Sequence, residues 1–410
     1  MTAIDTQPTA APIAFNPLSP EFIRDLYPYY HQLRAAAPLF ETPFGYYLAS
    51  RNEDVGQILR DKRFGKDFLG NIARGSGLGV LEEPVYASVR HWMLLMDPPD
   101  HTRLRGLVVK AFTARRVEDM RPRIQAIVDE TLNRIGGQGH MDLIRDFAYR
   151  LPVTVICEML GIPDADREQF LANPGVGGRL LDPVPLSRAE IDAANAHNLA
   201  QAAYFRGVFE LRRREPGDDL ITQLVQAEEE GRKLTEAELT ANIMLLFGAG
   251  HETTVNLIGN GLLALHRNPD QLDLLKRDPS LIHGAIEEFL RYDSSVQLTG
   301  RTALEDIEIG GITVKRGRTV LCLLGAANRD PAAYAEPDRL DITRPNVRPH
   351  SFGGGIHFCL GAQLARLEAE IAVNSLLARL PDLRIETLDD PDWRPTFVLR
   401  GLKSLPTRWD

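Results

Sequence analysis

Ser351-Phe352-Gly353-Gly354-Gly355-Ile356-His357-Phe358-Cys359-Leu360-Gly361 is the stretch on which the fold turns. Three consecutive glycines are costly to order, so the backbone there must need positive φ or a close approach to a partner. Cys359 follows them and opens an apolar-periodic run, LGAQLARLEAEIAVNSLLARL, read as a helix over 360–380. Unpaired N–H groups and the positive end of a helix dipole favour a thiolate, the form that binds metal. Gly361 removes a side chain beside the sulfur. One thiolate without the further Cys and His ligands that zinc requires is wrong for structural zinc. It suits haem iron, whose porphyrin supplies four ligands. Cys157 (VICEML) and Cys322 (VLCLL) sit in apolar runs and read as buried free thiols.

The chain has 410 residues, 44% apolar and 25% charged, which is ordinary for a globular protein with a large core. Length alone suggests two or three domains. The net charge of -9 argues against a nucleic-acid binder. Three scattered cysteines make no disulfide framework and fit a reducing cytoplasm. The first residues carry no signal peptide, and no run of about 18 apolar residues could span a membrane. Residues 1–14, rich in Thr, Ala and Pro, read as a flexible tail. Helices are expected over 21–36, 102–112, 120–136, 189–215, 235–266, 269–277 and 281–292. Strands are expected around Phe44-Gly45, in a hairpin at 307–309 and 312–314, and as a last pair near 397–402. Segment 172–187, rich in Gly and Pro, reads as a loop between helices.

Residues 240–266 make one long helix whose apolar stripe is interrupted at Gly250 and Thr253. Glycine inside a helix costs about 1 kcal/mol relative to alanine. The notch suits either a flat cofactor or a helix crossing, and the residues alone leave both open. Thr253 can hydrogen-bond back to the carbonyl of Ala249. His251-Glu252 imitates half of a zinc-protease motif, but Val255 stands where the second histidine would be. His251 therefore reads as a polar side chain turned away from the notch. His101 and Arg105, four apart, share a helical face that Asp100 would cap. Arg103, Lys110, Arg115, Arg116, Arg121 and Arg123 cluster in an otherwise acidic chain, either as a solvated face or as a docking patch.

The cysteine segment resembles the haem-binding loop of cytochrome P-450 monooxygenases, F-x-x-G-x-H-x-C-x-G, at Phe352, Gly355, His357, Cys359 and Gly361. Ala249-Gly250-His251-Glu252-Thr253 resembles that family's oxygen-activation segment, and Glu288-x-x-Arg291 its E-x-x-R. The likeness runs from about Phe15 to Trp409. It implies a mainly α fold with small β-sheets, a single triangular helical domain over 15–410, in place of two or three domains. It implies haem b, held noncovalently, with Cys359 as axial ligand and Phe352, Gly353, Gly361, Ala249 and Gly250 against it. His101, Arg105, Arg301 and His357 would bind the propionates. Glu252 and Thr253 would deliver protons during oxygen activation. Glu288, Arg291 and Arg339 would hold the core beneath the haem.

The implied activity is hydroxylation of a hydrophobic small molecule with dioxygen and electrons from a ferredoxin, in a cytoplasmic, bacterial-type monomer without membrane or nucleic-acid partners. Ala249, Val296, Leu298, Phe397 and Val398 would meet the substrate, with Arg74, Arg90 or His91 available for a carboxylate. A peroxide-driven haem-thiolate enzyme and a non-catalytic haem sensor are the rival readings.

Overall fold

A computed structural model of the chain describes residues 16–43, 45–172, 177–226, 228–229 and 232–410. The expected tail and Phe44 lie outside these residues. Seven helices frame the site: α1 (Asp100–Val108), α2 (Arg121–Ile135), α3 (Arg150–Leu160), α4 (Arg188–Arg214), α5 (Glu236–Arg267), α6 (Ile282–Tyr292) and α7 (Ala362–Arg379). Helix α5 is the axis. Thr235 and Glu238 form a reciprocal capping box at its start, and Pro269 follows its last turn. It packs against α3, α4, α6 and α7, and α7 packs in turn on α2 and α6. A helix enclosed this way must be apolar on most faces, and α5 is buried from Leu239 to Phe247 and again from Thr254 to Leu265.

A five-stranded sheet lies beside the helices. Its strands are β1 (Leu39–Glu41), β2 (Tyr47–Ala49), β3 (Phe64–Gly65), β4 (Leu298–Ala303) and, after the hairpin β5 (Ile307–Ile309)–β6 (Ile312–Val314), β7 (Thr319–Leu323). The order across the sheet is β1-β2-β7-β4-β3. Every residue of β7 is buried, as expected of its apolar run. Thr302 and Thr319 face each other across β4 and β7 with their hydroxyls 3.0 Å apart. The expected hairpin forms about Gly310-Gly311.

Three local expectations are corrected. The predicted helix over 21–36 is two, Pro20–Arg24 and Tyr27–Ala36, because Pro28 has no N–H to give to the preceding turn and Asp25 turns extended. Pro99, not Asp100, occupies the cap of α1. Asp100 lies inside the first turn and pairs with Arg103 at 3.1 Å. The pair expected near 397–402 is Asp392–Trp393 with Leu402–Ser404, Val296 forms an isolated bridge to Leu399, and the final strand, Pro406–Arg408, pairs with Arg384–Ile385 and His140–Asp142.

Candidate active site

The cysteine loop closes on itself. The Cys359 N–H donates to the Phe352 carbonyl at 2.9 Å. Gly353 and Gly355 take φ of +69° and +64°, values that L side chains rarely adopt. A Cβ on Gly355 would also lie 2.4 Å from the Leu59 carbonyl oxygen, so only glycine fits there. The loop is tied to α6 by buried polar groups. Ser351 Oγ bonds the Leu290 carbonyl, Asn328 Nδ2 donates to Ser351 Oγ at 2.9 Å, and the His350 N–H donates to Asn328 Oδ1 at 2.7 Å. Arg366 stacks over Phe352, 4.4 Å from the ring centre.

Cys359 is exposed, whereas Cys157 and Cys322 are buried. A Cβ on Gly361 would meet nothing within 4 Å, so the space beside the sulfur is open. The helix does not begin at Cys359 but at Ala362, with Gly361 at its cap. Although its surface is accessible, the Cys359 thiol is ringed by protein, and that desolvation pushes it up, against the Gly361 N–H, Arg105 and Arg366, which pull it down. A coordinated metal ion, rather than the helix terminus, would make the thiolate.

Helix α5 keeps accessible surface only at Gly248, Ala249, Gly250, Glu252 and Thr253 between its two buried stretches. The notch is real but displaced. A Cβ on Gly250 would stand 3.2 Å from Ile156 of α3, so Gly250 admits the neighbouring helix rather than a cofactor. A Cβ on Gly248 would meet nothing within 4 Å, and Ala249 is exposed. The open part of the stripe is therefore Gly248, Ala249 and Thr253. Thr253 Oγ1 donates to the Ala249 carbonyl at 3.0 Å, as expected. His251 is buried and bonds the Phe247 carbonyl at 2.7 Å. Glu252 lies 3.8 Å from Arg394 and beside Gly178 and Asp182. Burial raises its carboxyl pKa, while Arg394 and the Gly178 N–H lower it.

The four expected propionate groups come together. The rings of His101 and His357 are 4.3 Å apart. His101 Nδ1 and His357 Nε2 are buried and have no hydrogen-bond partner. Arg105 donates to the Phe358 carbonyl at 2.7 Å, and Arg301 to the Gly300 carbonyl at 3.0 Å. Burial, then Lys66, Arg301, His101 and Arg105, push the His357 pKa down to about 2. This set lacks a counter-charge, and the orphaned ring nitrogens fit a group bearing carboxylates.

Glu288 and Arg291 are fully buried and form a bidentate pair at 2.7 and 2.8 Å. The third arginine is corrected. The Arg339 guanidinium is exposed and reaches only Glu336, while Arg344 lies 3.3 Å from Glu288. Arg339 contributes only its carbonyl, which accepts from Arg291 and Arg344. Of the expected substrate contacts, Ala249 and Val296 keep accessible surface. Leu298, Phe397 and Val398 are buried, and Phe397 packs edge-on against Phe22. Arg74 is paired with Asp67 and Arg90 bonds the Leu81 carbonyl, so neither stands free for a carboxylate. In the basic cluster, Arg103, Arg121 and Arg123 are spent on Glu238, Glu118 and Glu158. A surface trough of about 870 Å³ instead borders the cysteine loop, lined in part by Phe358, Arg121, Arg348 and Arg366.

The sequence model of the family described as Cytochrome P450 matches residues 183–278 and 280–399. The chain belongs to the cytochrome P450 family. It is 47% identical over 88% of its length, and 89% of the relative's, to "Cytochrome P450 107B1" of Saccharopolyspora erythraea. It is 43% identical to a "Vitamin D(3) 25-hydroxylase" of Pseudonocardia autotrophica, over 94% of both chains. Among solved structures, P450BioI in complex with a hexadec-9Z-enoic acid ligated acyl carrier protein superposes with a TM-score of 0.89. That match is at 39% identity and covers 95% of this chain and 99% of the other. The chain is thus a cytochrome P450 monooxygenase, and the family's cofactor is haem with a cysteine thiolate as axial ligand. No helix among the described residues is long and apolar enough to cross a membrane.

Lys66 stands beside Arg301, Arg344 beside Glu288 and Arg394 beside Glu252, and all three were missed from sequence. Each is a lone cation with no motif around it, and only folding brings it to its partners.

Proposed function

We propose that this P450 hydroxylates an unactivated C–H bond of a hydrophobic small molecule, with dioxygen and two electrons from a ferredoxin. The observation that carries it is the exposed Cys359 at the exit of a self-closed glycine loop, beside a cationic set that lacks its anion. Cys359 is the axial ligand, and His101, Arg105, Arg301 and His357 hold the propionates. When bound, the haem supplies oxygen activation, with the thiolate donating electron density toward it.

The chain's own residues manage protons. Burial makes Glu252 a carboxyl that holds a proton more readily than usual, and Arg394 leads from it toward solvent. Thr253 spends its donor on Ala249, which leaves its oxygen free to accept. For the relay the Thr253 O–H turns from the Ala249 carbonyl into the open notch, gives up its own proton there and takes one supplied by Glu252 in its place. Ala249 and Val296, the expected contacts that keep accessible surface, are both apolar and favour an apolar substrate. The reductant docks in the trough beside Phe358, where Phe358 and Ile356 are exposed and Arg348 offers positive charge to an acidic partner.

Thr253→Ala tests the proton path. It should leave haem content unchanged, lower product formed per electron consumed, and raise peroxide release. Equal coupling in variant and wild type would overturn the assignment. Turnover driven faster by peroxide than by ferredoxin would favour the peroxide-using reading instead.

A further inference from the structure

We propose that the Lys66 ammonium is a further ligand for a haem propionate, joining Arg301. The inference rests on the haem assignment above. The backbone at Lys66 is pinned. Both oxygens of Asp97 accept its N–H, at 3.1 and 2.9 Å, and a Cβ on the preceding Gly65 would lie 2.5 Å from Asp97 Oδ2. The long side chain is thereby aimed inward from the end of β3.

Its Nζ stands 3.3 Å from Thr299 Oγ1 and 3.2 Å from the Gly300 carbonyl. Those same two atoms take the Arg301 guanidinium, at 3.3 and 3.0 Å. Two cations thus converge on one pair of neutral acceptors. Like charges so close repel, and each loses hydration there. Burial and Arg301 together depress the Lys66 amine. Among the described residues, neither Lys66, Arg301 nor Arg105 forms an ion pair, although most other arginines in this acidic chain do. Asp97, the nearest carboxylate, is committed to a backbone amide. The adjacent orphans, His101 Nδ1 and His357 Nε2, need an acceptor as well. A dicarboxylate ligand satisfies all of them at once, and a lysine tip, with three donors and one taken by each acceptor, has one left for it.

The test compares holo wild type, Lys66→Met and Lys66→Arg, each loaded with haem or with haem dimethyl ester, whose esterified propionates carry no charge. The readout is the rate of transfer to excess apomyoglobin. Lys66→Met should release haem about tenfold faster, the worth of one charge-assisted hydrogen bond, and Lys66→Arg should release it near the wild-type rate. With the dimethyl ester the three should release alike. Unchanged haem release in Lys66→Met, or equal acceleration with the ester, overturns the proposal, the latter marking Lys66 as a mere prop for β4. A wild type that takes up no haem sinks the haem assignment and this proposal with it. A wild type that holds haem beside an unaffected Lys66→Met sinks the lysine assignment alone.

Discussion

Glu288 shows how a single position can mislead a motif. Its Oε1 accepts from the Asp341 N–H at 2.9 Å, Arg291 Nη2 at 2.8 Å and Arg344 Nε at 3.3 Å. Removing Arg344 leaves a fully buried carboxylate one donor short, whereas removing the exposed Arg339 guanidinium leaves its carbonyl in place. Arg344→Ala should therefore cost about 2 kcal/mol in denaturant unfolding, and Arg339→Ala under about 0.5 kcal/mol. The reverse order would restore Arg339 to the core. The E-x-x-R pair was legible because three residues of one helix set its spacing. Its third member was not, because Arg339 and Arg344 lie in an irregular segment where sequence separation says nothing about direction.

Of the four glycines of helix α5, Gly248 and Gly250 lie close together in its accessible stretch and meet different surroundings. Of these two, only Gly250 interrupts the apolar stripe, yet Gly250 faces Ile156 and Gly248 faces open space. Gly250→Val should part α5 from α3 and cost about 1–3 kcal/mol, the usual price of overpacking. Gly248→Ala should be neutral or raise stability by up to about 1 kcal/mol through helix propensity. Denaturant midpoints of the two variants check this, and a destabilised Gly248→Ala would show that the open space lies elsewhere. The length and apolarity of α5 were read from sequence, and its capping box was not. The side on which each glycine meets a neighbour depends on the angle at which α3 crosses, which no local pattern encodes.

At the scale of the molecule, Asp182 joins segments more than two hundred residues apart. Its Oδ1 accepts the N–H groups of Phe397 and Val398 at 3.0 and 2.7 Å, while Oδ2 has no hydrogen-bond partner. Burial pushes this carboxyl up to about 6, against those N–H groups and Arg179. The ordinary unfolded value is near 3.9, so between about pH 4 and 6 the fold holds the proton that the unfolded chain has lost. Its contribution is full below that window and declines as pH rises through it. Asp182→Asn keeps the accepting oxygen and removes the charge. Wild-type stability relative to this variant should fall by on the order of 2 kcal/mol from pH 4 to 7. Parallel pH curves would show that Asp182 does not titrate in this range. The same contrast holds for the whole protein. The sequence by itself determined the helical class, the cysteine loop and the long helix, because glycine backbone demands and apolar period are local properties. It placed His101, Arg105, Arg301 and His357 on one site only through a resemblance. Tertiary structure alone decided that Lys66 joins them, that Arg344 replaces Arg339, and that Leu298, Phe397 and Val398 are packed into the core. Those outcomes depend on which distant surfaces meet, and burial and charge pairing exist only once they have met.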